Sequence, residues 1–327
     1  MLDKIDILSF NLEKLQNAFV TLGLKKYNAS QVYEWLHNKM EFDFDNFSNL
    51  SKENRETLKK RFYLPKLEYK EHQISVEDDT EKFLFELQDN RLIESVLIGH
   101  KNRYTLCVSS QIGCLLGCDF CATALMNYER NLEVSEILLQ YYYVEKYLRE
   151  KNETLSNVVF MGMGEPFLNY DNVIESINML NSKSGLNVSK RNFTISTSGI
   201  VPAIKKFTEE EHQINLAVSL HSVKDNVRSQ LMPINKKYPL TELKSALVNY
   251  QIKTKNRITF EYILIDELNC EKKDAFDLAA FLRSFSSLVN LIPYNPVSGK
   301  EYSAPSKKKQ KEFYSILKER NINVTLR

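Results

Sequence analysis

The chain has 327 residues, 43% hydrophobic, 26% charged and 11% aromatic, enough apolar material for a full globular core. That content excludes intrinsic disorder, and 9 Gly with 8 Pro exclude a collagen-like composition. The net charge of +2 permits nucleic-acid binding without arguing for it. No apolar run approaches the roughly 18–20 residues of a membrane span. The start, Met1-Leu2-Asp3-Lys4, mixes charges, so no secretory signal is expected. Three of the five cysteines crowd between Cys114 and Cys121, which suits a metal centre in a reduced cytoplasm better than a secreted disulfide scaffold.

In chain order, residues 1–70 read as a small helical domain. Leu12, Leu15, Phe19 and Leu22 recur at helical spacing, and a second amphipathic helix is predicted from Gln31 after Asn28 and Ser30. A third follows Ser51, a plausible N-cap. Residues 82–87 and 92–98 predict two strands joined by a turn at Asp89-Asn90, within a β-hairpin extension over 71–100.

From residue 101 onward short apolar strands alternate with longer amphipathic helices. Strands are predicted at 104–108, 157–161, 192–197, 214–219, 257–264 and 288–292. The clearest helices are 134–150, 170–182, 240–250 and 271–284, and Ser306 reads as the cap of a last one. Six β-then-α units with such connections imply parallel strands and right-handed crossovers, either in a doubly wound sheet or in an incomplete barrel. Polar and glycine-rich runs fall at the C-terminal ends of these strands: Ser109-Ser-Gln, Gly162-Met-Gly-Glu165, Ser196-Thr-Ser-Gly199, Ser219-Leu-His221 and Pro293-Tyr-Asn295. Parallel α/β folds place their sites at that edge, so the runs are expected on one rim.

The most specific signal is Cys114-x3-Cys118-x2-Cys121 on a loop after a strand. Three thiolates on a short loop suit a [4Fe–4S] cluster with one iron left open to a small molecule, since four-cysteine ligation is the usual complement. A structural zinc site completed by Cys107 or a histidine is the alternative, but zinc ribbons supply paired C-x2-C hooks and no second hook exists here.

This triplet resembles that of the radical S-adenosylmethionine superfamily. Thr105-Leu-Cys107-Val-Ser-Ser-Gln111, Phe160-Met-Gly-Met-Gly-Glu-Pro166, Ile195-Ser-Thr-Ser-Gly199, Ser219-Leu-His221, Met232-Pro-Ile-Asn-Lys236 and Asn290-Leu-Ile-Pro-Tyr-Asn295 resemble the dual-specificity 23S rRNA and tRNA adenine-C2 methyltransferases. The related chloramphenicol–florfenicol resistance enzyme, which methylates C8, shares much of this. The resemblance covers nearly the whole chain. It implies an α/β fold, a partial (βα)6 TIM-like radical S-adenosylmethionine barrel over 101–327 behind the helical domain. It also implies a [4Fe–4S] cluster and S-adenosylmethionine as cofactors, 23S rRNA and tRNA as partners, and a flavodoxin or ferredoxin as electron donor. The expected protein is a cytoplasmic monomer that does not bind membranes.

Carried over residue by residue, Cys114, Cys118 and Cys121 become the cluster ligands. Gly164, Glu165, Ser196, Ser219, Leu220, His221 and Asn295 become contacts to S-adenosylmethionine. Cys107, alone a small buried residue, matches the family cysteine that attacks a protein–RNA crosslink. Glu94, alone the solvent face of an edge strand, matches the proton-acceptor glutamate. Aromatic C2 of adenine has negligible nucleophilicity, so a radical generated from the cofactor is the chemistry the resemblance implies. Trp35 and Tyr141-Tyr142-Tyr143 read as helix packing, and Cys270 matches no functional position.

The chain departs from the family pattern in three places. Ala124 and Asn127 stand where the family carries glycines, and Ala124 would be strained if φ there were positive. The chain also stops at Arg327, short of the family's methyl-carrying cysteine. The expectation is therefore a form that binds the cluster and cofactor without methylating adenine. A non-methylating radical enzyme and an RNA-binding iron–sulfur protein are the competing functions.

Overall fold

The computed structural model describes residues 4–101 and 103–327; Met1–Asp3, on which part of the N-terminal reading rests, lie outside the described residues. The chain forms two compact units, one of residues 1–112, 131–162 and 169–193, the other of residues 113–130, 163–168 and 194–327.

The first unit opens with β1 (Ile5–Asp6), α1 (Leu12–Thr21), α2 (Lys26–His37), α3 (Lys52–Arg61) and β2 (Phe62–Tyr63), the two short strands pairing in parallel. Asn11 and Ser51 cap α1 and α3 by accepting the N–H of Lys14 at 2.9 Å and of Asn54 at 3.2 Å. α2 starts at Lys26, earlier than expected, so Asn28 lies inside the helix and bonds Gln31 at 3.0 Å.

The helical reading to residue 70 stops at Arg61, because Leu67–Ile74 is strand β3. Its Glu, Lys and Gln side chains are exposed, so no apolar alternation marked it; charged residues suit a strand at a sheet edge. β3 pairs antiparallel with β4 (Thr80–Leu87), and β4 with β5 (Leu92–His100) across a turn where Asn90 has φ +63°. β5 then pairs antiparallel with β6 (Arg103–Cys107). After β7 (Gln111–Ile112) and β8 (Arg130–Asn131), α4 (Val134–Glu150) crosses over to β9 (Leu155–Phe160), which lies parallel to β6, and α5 (Tyr170–Leu180) follows. The strand order in this unit is β9-β6-β5-β4-β3. Phe83, Phe85, Ile93, Leu97 and Leu106 are buried on one sheet face, and Tyr143 of α4 packs edge-on against Phe85 at 4.9 Å.

The second unit alternates strand and helix: β10 (Phe193–Thr197), α6 (Val201–Glu209), β11 (Asn215–Ser219), α7 (Asp225–Leu231), α8 (Leu240–Thr254), β12 (Ile258–Leu264), α9 (Lys272–Leu282), β13 (Ser287–Pro293), α10 (Lys307–Glu319) and β14 (Val324–Leu326). From β10 to β14 each strand pairs in parallel with the next. β12 is buried at nearly every position, as a strand covered on both faces must be. Ser306 caps α10 by accepting the Lys309 N–H at 3.3 Å. α6 and α7 are not among the clearest helices of the sequence; each has fewer than ten residues, too short for a strong periodic signal.

Candidate functional site

Cys114, Cys118 and Cys121 lie in the second unit on a partly exposed loop. Gly113 begins it at φ +70°, and a Cβ there would stand 2.1 Å from the Asn127 carbonyl oxygen, so only glycine lets the two ends of the loop meet. Ala124 sits in the 3-10 turn Ala122–Leu125, where a helical φ suits alanine, and the strain expected there is absent. The far side of the loop is fastened by Asp119. Its N–H donates to Leu231 O at 2.8 Å, and its carboxylate accepts Lys300 Nζ at 2.6 Å and Tyr302 OH at 2.5 Å. Cys118 and Phe120 pack against an apolar group that includes Leu231, Met232 and Tyr294. Burial pushes the Cys118 thiol up to about 12, and the charges of Cys121, Cys114 and Glu165 add to it while Arg228 opposes them. The three thiols therefore lie within electrostatic reach of one another.

The other candidate residues of this unit sit at strand ends. Glu165 is 2% exposed; its Oε2 accepts the Ser198 N–H at 2.7 Å and its Oε1 the Phe167 N–H at 3.1 Å. Burial raises its pKa, and those N–H donors pull it back. Gly164 beside it has φ +102°. Ser196 is buried near the end of β10, paired in register with Ala217. Ser219 ends β11, followed by buried Leu220 and by His221 at φ +57°. His221 Nδ1 accepts the Ile263 N–H at 3.1 Å, and burial, with Arg228 adding, holds the imidazole at about 3, so it is neutral. Asn295 is exposed beyond β13.

Arg228, which sequence reasoning did not single out, joins these ends. It is 1% exposed, and its Nη2 donates to Ser198 O at 2.7 Å and Ser219 O at 3.1 Å. Its Nε donates to Leu220 O at 3.1 Å and its Nη1 to Asn235 Oδ1 at 2.8 Å. Asn235 in turn donates to Asp225 Oδ1 and Ser229 Oγ, both at 2.8 Å, which gives the Met232-Pro-Ile-Asn235 run a structural task. An arginine in a short helix carries no sequence signal of burial; only the convergence of carbonyls reveals it.

Glu94 and Cys107 belong to the first unit. The register sets Val96 opposite Cys107, so Cys107, Val96 and Glu94 share one sheet face. Glu94 is half-exposed and ion-paired with Lys82 at 3.1 Å, not enclosed by apolar groups. Cys107 is 9% exposed, and burial pushes its thiol up to about 12. A Cβ at Gly162 would stand 2.8 Å from Val108 backbone and from Ser109 Oγ, which explains that glycine.

Three further groups stand apart from these residues. A cavity of about 420 Å³ in the first unit is lined by Phe42, Leu67, Tyr143, Lys146 and neighbours, none of them candidate residues. Asp266, Cys270 and Glu271 form a tight set, but Lys309 Nζ already bridges its two carboxylates, at 2.7 Å from Asp266 and 3.1 Å from Glu271. Trp35 stacks on Phe47 at 5.5 Å under Lys39, and Tyr141 and Tyr142 are buried; these aromatics do pack.

Residues 108–279, more than half of the chain, match the Radical SAM superfamily. The three-thiol loop and the parallel strands with polar ends accordingly define a radical S-adenosylmethionine protein, with the α/β fold of that superfamily and with a [4Fe–4S] cluster and S-adenosylmethionine as its cofactors. Residues 5–64 match the ribosomal RNA large subunit methyltransferase N-terminal domain. The probable dual-specificity RNA methyltransferase RlmN of Dictyoglomus thermophilum is 42% identical, covering 98% of this chain and 92% of that protein. Its counterpart in Staphylococcus carnosus is 44% identical, covering 99% and 89%. A radical SAM methyltransferase from Sphaerobacter thermophilus superposes with a TM-score of 0.95 at 38% identity, covering 99% of this chain and 95% of that one. The chain belongs to the RlmN family.

The residues present fit the cofactors. Three thiols on one short loop are a soft donor set, and burial raises the pKa of Cys114 and Cys118, whose protons iron would displace. The zinc alternative falls with the family assignment. The second unit holds both the thiol loop and the strand ends tied by Arg228. Among the described residues, no helix is long and apolar enough to cross a membrane.

Proposed function

We propose that the reaction this chain's residues serve is methylation of C2 of an adenosine in the peptidyl-transferase centre of 23S rRNA and of an anticodon-loop adenosine in some tRNAs, a transfer that also needs a methyl-carrying cysteine, which none of the five cysteines here matches. The observation that carries the proposal is one compact unit holding three coupled thiols, buried Glu165 and the Arg228-tied strand ends, in a chain of this family. When bound, the reduced cluster and S-adenosylmethionine supply a one-electron cleavage to a 5′-deoxyadenosyl radical.

The chain's residues hold and orient. Cys114, Cys118 and Cys121 ligate the cluster. Gly164, Glu165, Ser196, Ser219, Leu220, His221 and Asn295 bind S-adenosylmethionine; Glu165 is the acidic group among them, and the neutral imidazole of His221 spares the sulfonium a second positive charge. Glu94 takes the proton lost from the base. Cys107 would attack, as a thiolate, the sulfur of the family's carrier cysteine, forming a disulfide as the sulfur–carbon bond to the base breaks and the base takes up a proton; its raised pKa requires a nearby acceptor for the thiol proton.

The helical segment ending at Arg61 acts as an RNA-binding domain, strands β3 to β5 as a β extension and residues 101–327 as the barrel. Lys25, Lys26, Lys60, Arg61, Lys236 and Lys237 are exposed and available to phosphates, whereas Lys59 is engaged by Asp45 and Glu56. The protein works as a cytoplasmic monomer with a flavodoxin or ferredoxin as electron donor.

Mass analysis of 23S rRNA digested from cells with and without the gene tests the proposal. Loss of 2-methyladenosine on deletion is expected; an unchanged 2-methyladenosine content, or loss of 8-methyladenosine instead, overturns it.

A further inference from the structure

We propose that Gln140 of α4 is a positioning residue for the late steps of the reaction, fixing the strand ends that carry Glu94 and Cys107. The backbone register of β5 with β6 runs from His100 opposite Arg103 to Val96 opposite Cys107. Beyond it a side chain takes over. Gln140 is fully buried, and its Oε1 accepts Ser95 Oγ–H and the Ser109 N–H, each at 2.8 Å. Its Nε2 donates to Ser109 O at 3.1 Å and to Glu136 O at 3.2 Å. Ser109 Oγ then donates to Glu94 O at 2.6 Å. On the other edge, Val108 is held by backbone bonds with Val159 and Gly162.

One amide thus grips the residue after Glu94 and the residue two beyond Cys107, and Ser109 closes the bracket onto Glu94 itself. Both lone pairs and both N–H groups of the amide are used, so neither a carboxylate nor an apolar side chain can replace it. Neighbouring Ile137, Leu138, Tyr141 and Val144 on α4 are buried and need no polar companion for packing. A buried amide is costly unless satisfied, and the groups that satisfy this one flank the two residues on the opposite sheet face. Ser95, Leu97 and Leu106 share the α4 side, whereas Glu94, Val96 and Cys107 point away from it. Gln140 therefore acts through backbone placement and touches neither reacting group.

The inference rests on the proposed roles of Glu94 and Cys107. The test is Gln140→Met in cells whose own copy is deleted, with 5′-deoxyadenosine release measured anaerobically on the purified protein. Cofactor cleavage uses groups of the second unit, so its rate is expected to stay within about twofold of wild type. The 2-methyladenosine content of 23S rRNA is expected to fall about 100-fold, the cost of a misplacement near 1 Å. Wild-type methylation, or cleavage falling in step with methylation, overturns the inference. If Gln140→Met does not fold, Ser109→Ala removes the tie to Glu94 and keeps the Ser109 backbone bonds to Gln140; a loss of about tenfold supports the inference and unchanged methylation overturns it. Absence of 2-methyladenosine with the wild-type gene would instead strike the proposed function.

Discussion

The two units solve the same problem, how to finish a strand end, in different ways. In the second, successive parallel strands stop in register and the loops beyond them are tied by one buried guanidinium, that of Arg228. In the first, parallel and antiparallel pairings mix, registers shift between Tyr69 and Glu71 and between Tyr104 and Thr105, and polar side chains of one helix complete the backbone. Gln140 holds the end of β6. Glu145, 2% exposed, holds the start of β9 by accepting the Leu155 N–H at 2.9 Å, with Arg149 beside it at 2.8 Å. The difference teaches where each unit is fragile: the second at a single cation, the first along α4.

Cluster ligation gives the sharpest break between them. Cys118→Ala is expected to abolish the brown colour and 5′-deoxyadenosine release while leaving RNA binding, which falls steeply as salt rises. Binding lost together with the cluster would tie RNA recognition to the second unit.

Arg228→Met is next. It leaves the carbonyls of Ser198, Ser219 and Leu220 without their donor and costs about 3 kcal/mol in thermal or urea unfolding. A loss below about 1 kcal/mol would show that those loops have other supports.

Acid should weaken both units. Burial holds His37 in the first unit and His221 in the second at about 3, against an ordinary 6.5. Below about pH 6.5 the unfolded chain takes up protons that the folded one refuses. Stability therefore falls as pH drops from about 6.5 toward 3, by up to about 1.4 kcal/mol per pH unit for each histidine, and is unaffected by them above that window. His37→Gln, which keeps a hydrogen-bonding partner for the Tyr142 hydroxyl, is expected to flatten the slope by up to one proton as pH falls from about 6.5 to 5 in urea titrations. An unchanged slope would place the proton uptake elsewhere.

The smallest effect is Ala124→Gly. The 3-10 turn needs no positive φ at this position, so the family-like glycine should destabilise by about 0.5–1 kcal/mol rather than relieve strain. A gain in stability would contradict the turn.

The sequence by itself determined the parts governed by local chemistry. The strands β6 and β9 to β13, the caps Ser51 and Ser306 and the turn at Asn90 follow from apolar runs, hydroxyl capping and tolerance of positive φ, each set by a few neighbouring residues. The thiol loop was legible for the same reason, since metal chemistry demands a spacing within one loop. β3 was not, because an edge strand with charges on both faces has no alternation to show. Only tertiary structure decided the roles of Arg228 and Gln140. Arg228 meets Ser198 O, 30 residues away, and Gln140 meets Ser95 and Ser109, 45 and 31 residues away. A polar side chain in a helix reads as solvent-facing until the chain folds and brings distant unpaired backbone groups to it. The cost of leaving such groups unpaired in a dry interior then fixes both its place and its identity.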